Sequence, residues 1–161
     1  MQRRQLIFGT AAATLLGAVG SADAQRGLDR EKLPALEGGD FATLTSRLAR
    51  RKSRSAQVRG FANLEINEQA AVAMAFGAKP GAAGLNARHA AMLRELEGLS
   101  GSAFDAAYID GQITGHQELL RIHRRYARSG RDPMARGASM VGVPSIETHL
   151  SLLKSIRRSI V

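Results

Sequence analysis

The chain has 161 residues with 23 lysines and arginines against 14 aspartates and glutamates, and it contains no cysteine and no tryptophan. Without cysteine there is no disulfide framework, no thiolate nucleophile and no iron–sulfur cluster. A formal charge of +9 favours anionic neighbours such as envelope lipids and acidic polymers, while two tyrosines give no aromatic platform for stacking bases and argue against nucleic acid.

The chain opens with "MQRR", an uncharged run "LIFGTAAATLLGAVG" and then "ADAQ". A charged start, a short apolar stretch and an A-x-A site at Ala22 and Ala24 form the pattern of a secretory signal over residues 1–24. The apolar run is shorter than the roughly 20 residues of a membrane span. Arg3-Arg4-Gln5-Leu6-Ile7 has the form of a twin-arginine signal, except that Gln2 stands where serine or threonine is expected. The expected product is periplasmic or secreted, cleaved near Ala24 and without a transmembrane span, and it retains 21 basic and 13 acidic residues.

Residues 25–39, with Pro34 and the Gly38-Gly39 pair, read as a flexible linker before a folded domain over 40–161. Asp40 is the expected N-cap of a first helix to about Lys52, striped by Phe41, Leu44 and Leu48. Ser55 caps a second helix, 56–77, whose stripe is Val58, Phe61, Ala62, Val72 and Phe76. "GAKPGAAG" breaks the chain, and Asn86 caps a shorter helix carrying Met92, Leu93 and Leu96. A long helix, 102–128, follows "GLSG". Asp132-Pro133 then starts the last segment, which Pro144 starts again or kinks. Its apolar stripe is Ile146, Leu152, Leu153 and Ile156. About five amphipathic helices with short links predict an all-α bundle.

Three of these helices carry polar residues on their apolar sides. At 100° per residue, Asp105, Tyr108, Gln112 and His116 share the side of Phe104, Ile109 and Leu119. Glu65 and Gln69 share the stripe of Phe61 and Phe76, and His149 lies between Ile146 and Leu153. Two readings are open. One is a buried hydrogen-bonded network that fixes helix register, with Gln69, Asp105, Tyr108 and Gln112 completing it and no cofactor. The other is a single transition metal held by Glu65, His116 and His149. A carboxylate-bridged dinuclear centre requires Glu-x-x-His pairs, and no such pair occurs in the chain. His123 reads as a boundary residue and His89 as surface or edge. No G-x-S-x-G elbow and no Gly-rich phosphate loop are present.

Two basic groups remain. Arg47, Arg50, Arg51, Lys52 and Arg54 lie around the end of the first helix, and Arg121, Arg124, Arg125 and Arg128 end the long one. Up-and-down helices would place them at opposite ends of a bundle. Cations are favoured at helix C-termini, and an exposed arginine surface is also a candidate contact for anionic lipid or polymer.

The stretches "LSGSAFDAAYIDGQITGHQELL" and "DPMARGASMVGVPSIETHLSLL" resemble the bacterial exported family known as domain of unknown function 4142. The matching positions are Leu99-Ser100-Gly101, Phe104-Asp105, Tyr108, Gly115-His116, Asp132-Pro133, Pro144 and His149-Leu150, with "QVRGFANLEINEQ" as a further likeness. The resemblance spans about residues 40–157 and implies a ferritin-like helical bundle in an exported protein of unassigned activity. Many members carry Asp-His where this chain has Glu68-Gln69, and a glutamate near the position of Thr43. The reading taken forward is a non-enzymatic, envelope-associated bundle with a buried polar core; the alternative is a metal-binding or redox protein.

Overall fold

A computed structural model describes residues 28–160, in which there are five α-helices and no strand. They are α1 (Leu33–Lys52), α2 (Ala56–Ala75), α3 (Ala87–Gly98), α4 (Gly101–Ser129) and α5 (Pro133–Ser159). The expected signal, residues 1–24, lies outside the described residues. No described helix is long and apolar enough to cross a membrane.

Three of the expected caps form. The Ser55 side chain accepts from Val58 N, Asn86 from His89 N, and Asp132 from Met134 N and Ala135 N with Pro133 at the first helical position. The first helix differs from expectation. It begins at Leu33, so residues 33–39 are not a linker, and Pro34 lies in its first turn, where the missing N–H has no helical partner to lose. Gly38 and Gly39 are helical, and glycine stands there because neighbours approach too closely for a side chain. A Cβ on Gly38 would lie 2.7 Å from Leu119 Cδ2, and one on Gly39 would lie 2.6 Å from Gln69 Oε1. Asp40 is buried inside this helix rather than capping it. Its carboxylate accepts from the backbone N–H groups of Gly81, Ala83 and Gly84 and so fastens the loop after α2. Burial raises its pKa against the pull of those three bonds.

Pro144 neither starts nor breaks a segment, since α5 runs through it. Its lost hydrogen bond would have gone to the carbonyl of Met140, on the exposed side of the helix, where water can take it up. Leu152 is likewise exposed and not part of the α5 core stripe.

The helices pair as two antiparallel hairpins, α1 with α2 and α4 with α5, joined through α1–α4 and α2–α5 contacts. Two apolar clusters mark the ends. One gathers Leu48, Val58, Phe61, Leu96, Phe104 and Ile156, and the other Leu36, Phe76, Ala83, Tyr126 and Ala135. Chain direction follows from them: α1 and α5 run one way, and α2 and α4 run the other. Helix α3, leaning on α1 and α4, forms the single long crossover that returns the chain between α2 and α4. One long crossover in a four-helix bundle is the connectivity of ferritin-like folds. It carries Glu65, His116 and His149 to the bundle axis on three different long helices.

Candidate metal centre

Glu65, His116 and His149 meet at mid-bundle. Glu65 is fully buried, and His116 and His149 are nearly so. Glu65 Oε2 lies 3.2 Å from His116 Nε2 and 3.3 Å from His149 Nδ1, and the two nitrogens are 3.3 Å apart. The three donor atoms thus form an almost equilateral triangle. A tetrahedral ion with bonds of about 2.0–2.1 Å spaces its donors about 3.3–3.4 Å apart.

Each donor is oriented by a partner. Nδ1 of His116 is 2.8 Å from the Gln112 carbonyl, which can only accept, so that nitrogen carries the hydrogen. Nε2 of His149 lies 3.2 Å from a Glu68 carboxylate oxygen, an ion-pair contact. Gln69 donates from Nε2 to the other oxygen of Glu65 at 2.9 Å. With its proton on Nε2, His149 would turn a lone pair on Nδ1 towards the same space as His116 Nε2 and Glu65 Oε2. That tautomer suits a metal ion, whereas the tautomer with the proton on Nδ1 lets His149 donate to Glu65 or His116. Partners that hold the far side of every ligand are typical of metal centres.

The electrostatics agree. Burial presses the Glu65 carboxyl upward, but bonding to His116 and His149 outweighs it and holds the pKa down at about 2. Burial likewise lowers that of His149, and here Glu65 and Glu68 prevail and raise it. Phe61 closes one side, its ring edge-on to His149 at 5.5 Å and tilted against His116 at 5.8 Å.

The other inward polar residues fall into place along the α1–α4 seam. Gln112 donates to Thr45 Oγ1 at 2.8 Å, and Tyr108 shares a hydrogen bond with Ser46 at 2.8 Å. Burial raises the Tyr108 pKa. Asp105 is buried, with Oδ1 lacking a hydrogen-bond partner among the described residues. Periodicity did not identify Glu68, because it is partly exposed on the polar side of α2; Ser145 donates to its second oxygen. His123 and His89 are buried, not boundary or surface residues. His123 bonds to Ser139 at 3.0 Å, and His89 stacks on Phe41.

The basic residues lie at the two ends of the bundle, and two of them have structural partners. Lys52 donates to the Glu97 carbonyl across to α3, and Arg124 pairs with Glu147. Arg47, Arg50 and Arg51 border an open surface depression. Arg54, Arg121, Arg125 and Arg128 are exposed.

Among known proteins, the family described as "Domain of unknown function (DUF4142)" matches residues 34–156. No curated protein and no solved structure matches.

Proposed function

The chain belongs to the DUF4142 family, and from that premise we propose that it binds one divalent first-row transition metal through Glu65, His116 and His149. The observation that carries this reading is the triangle of 3.2–3.3 Å between three oriented donors. Two imidazoles and one carboxylate suit Zn²⁺, Cu²⁺ or Fe²⁺ better than Mg²⁺ or Ca²⁺, which prefer oxygen. Three protein ligands leave a fourth position for water or a small molecule.

The protein is exported to the periplasm or beyond, a reading that rests on the signal pattern of residues 1–24. There its exposed arginines would contact anionic envelope lipid or polymer. The network reading keeps one specific support: the seam of Thr45, Ser46, Tyr108 and Gln112 is hydrogen-bonded without metal, and a proton on His149 would complete the centre.

Calorimetric titration of the chelator-stripped mature chain with Zn²⁺ separates the two. One bound ion per chain, abolished in Glu65→Ala, supports the metal centre. Absence of binding, with Glu65→Ala merely destabilised, supports a structural core. N-terminal sequencing of the envelope-derived protein tests export, with a start near Gln25 expected and an intact Met1 contradicting it.

A further inference from the structure

Among the described residues, the large apolar side chains left exposed are Leu64 and Met74 on α2 and Met134, Met140, Val141 and Leu152 on α5. Helix α3 packs on α1 and α4, so α2 and α5 form the uncovered side of the bundle. A surface helix ordinarily turns charged groups outwards, but no exposed residue of α2 is charged, whereas α1 exposes only arginines. The charges of α2 are taken up within the chain: Arg59 by the Ser53 carbonyl, Glu65 by His116 and His149, and Glu68 by Ser145.

Along the outer face of α2, Gln57, Gly60, Leu64, Asn67, Ala71 and Met74 follow one another at alternating steps of three and four, and all are exposed. That is the spacing of a seam that packs against another helix. Gly60 points the same way. Inside a helix a glycine is less stable than alanine by about 1 kcal/mol. A Cβ there would meet nothing within 4 Å, so nothing inside the chain calls for glycine, and a helix crossing closely from outside would. Helix α5 flanks the seam. Met134, Val141 and Leu152 lie within about 40° of Ser145 around that helix, and Ser145 faces α2 through its bond to Glu68. Arg136, Glu147, Lys154 and Arg158 turn to the opposite side of α5, with Met140.

We propose that a second copy of this chain covers the α2–α5 face, in a twofold dimer whose α2 helices are antiparallel. The seam is its own complement. Its positions mirror about their midpoint, so a twofold sets Gln57 level with Met74 of the second copy, Gly60 with Ala71 and Leu64 with Asn67. Charge selects the same occupant. A chain of formal charge +9 meets its copy with least repulsion where neither exposes a charge, while an acidic partner is drawn to the arginines of α1 or α4. Size agrees as well. Helix α2 has 20 residues, so it is about 30 Å long, and with the near side of α5 it makes a strip about 20 Å wide. Two such strips bury about 1,200 Å², the lower edge of stable specific interfaces, which predicts a dimer that dissociates on dilution.

Sedimentation equilibrium of the mature protein between about 1 and 500 µM tests the dimer, and the mass is expected to rise from one chain to two across that range. Leu64→Glu, at an exposed side chain beside the twofold, brings like charges together and is expected to weaken the dimer by about tenfold or more. Met140→Glu, off the face, leaves it unchanged. Orientation is read by cross-linking with a short bis-maleimide, since the chain has no cysteine. Gly60→Cys mixed with Ala71→Cys is expected to give a linked pair, and neither variant alone, because each position lies about 16 Å along the helix from its own copy. A wild-type protein that stays monomeric at every concentration, or Met140→Glu acting as Leu64→Glu does, would overturn the dimer. Cross-links within either variant alone would overturn the antiparallel seam. Should Leu64→Glu fail to fold, Ala71→Glu, also exposed, decides by the same masses.

Discussion

Nε2 of His116 and Nδ1 of His149 face each other at 3.3 Å, and each lies 3.2–3.3 Å from the same oxygen of Glu65. With its proton on Nδ1, His149 donates into this triangle; with it on Nε2, the triangle is open to a metal ion. The buried Glu65 carboxylate depends on these two rings as its partners.

Removing one ring leaves Glu65 without that partner. His116→Ala is expected to destabilise the metal-free protein by about 3–5 kcal/mol, the cost of stranding a buried charge. Urea denaturation of both proteins in chelator measures it. A change below about 1 kcal/mol, the usual worth of an exposed pair, would show that Glu65 does not depend on His116.

Gly39 packs against Gln69, and Gln69 orients Glu65. Gly39→Ala pushes the amide away from the carboxylate. Loss of an orienting partner lowers metal affinity by about 10–100-fold, and this is the expected effect here, together with a loss of about 1–3 kcal/mol of stability from the broken buried hydrogen bond. Unchanged affinity would mean that Gln69 does not matter to the centre.

Asp40 tests the corrected start of α1. Asp40→Ala leaves three backbone N–H groups without their acceptor and is expected to destabilise the fold by about 1–3 kcal/mol. A capping role at the start of a helix would instead leave the loop at 81–84 unaffected, which hydrogen exchange at those amides distinguishes.

Acid sensitivity has two separate windows. Burial lowers the His123 pKa from 6.5 to about 4, so between these values the unfolded chain binds a proton that the folded chain refuses. Stability is full above 6.5 and falls as pH drops towards 4, by about 1.4 kcal/mol per pH unit. Glu65, lowered from 4.5 to about 2, acts below that: its contribution is present above 4.5 and is lost as pH falls towards 2. In His123→Gln the upper slope should lessen relative to wild type in urea melts between pH 4 and 7, with His89, whose pKa burial also lowers, supplying what remains; persistence of the full slope would contradict the share assigned to His123.

The helical period made the inward positions legible. Glu65, Gln69, Tyr108, Gln112, His116 and His149 each share a stripe with residues that cannot leave the core, so their burial follows from local pattern alone. What brings three of them together is not local. It depends on the crossover through α3, which reverses α4 relative to α1 and sets His116 opposite Glu65. Gly38, Gly39 and Asp40 misled for the same reason. Two glycines before an aspartate resemble a linker and a cap until Leu119, Gln69 and the loop at 81–84 come into contact with them. Glu68, noted only for its place in the family pattern, was not counted with the site because its partner His149 reaches it from another helix at the edge of the polar face. His89 and His123 were misplaced because Phe41 and Ser139, which bury and bond them, are distant in sequence.

The most direct test is elemental analysis of the mature protein purified from its native envelope without chelator or histidine tag, alongside the His116→Ala/His149→Ala double variant. Near-stoichiometric zinc, copper, iron or manganese in the first, lost in the second, is the expected result. A wild-type protein free of metal that also stays so after incubation with each ion would contradict the centre.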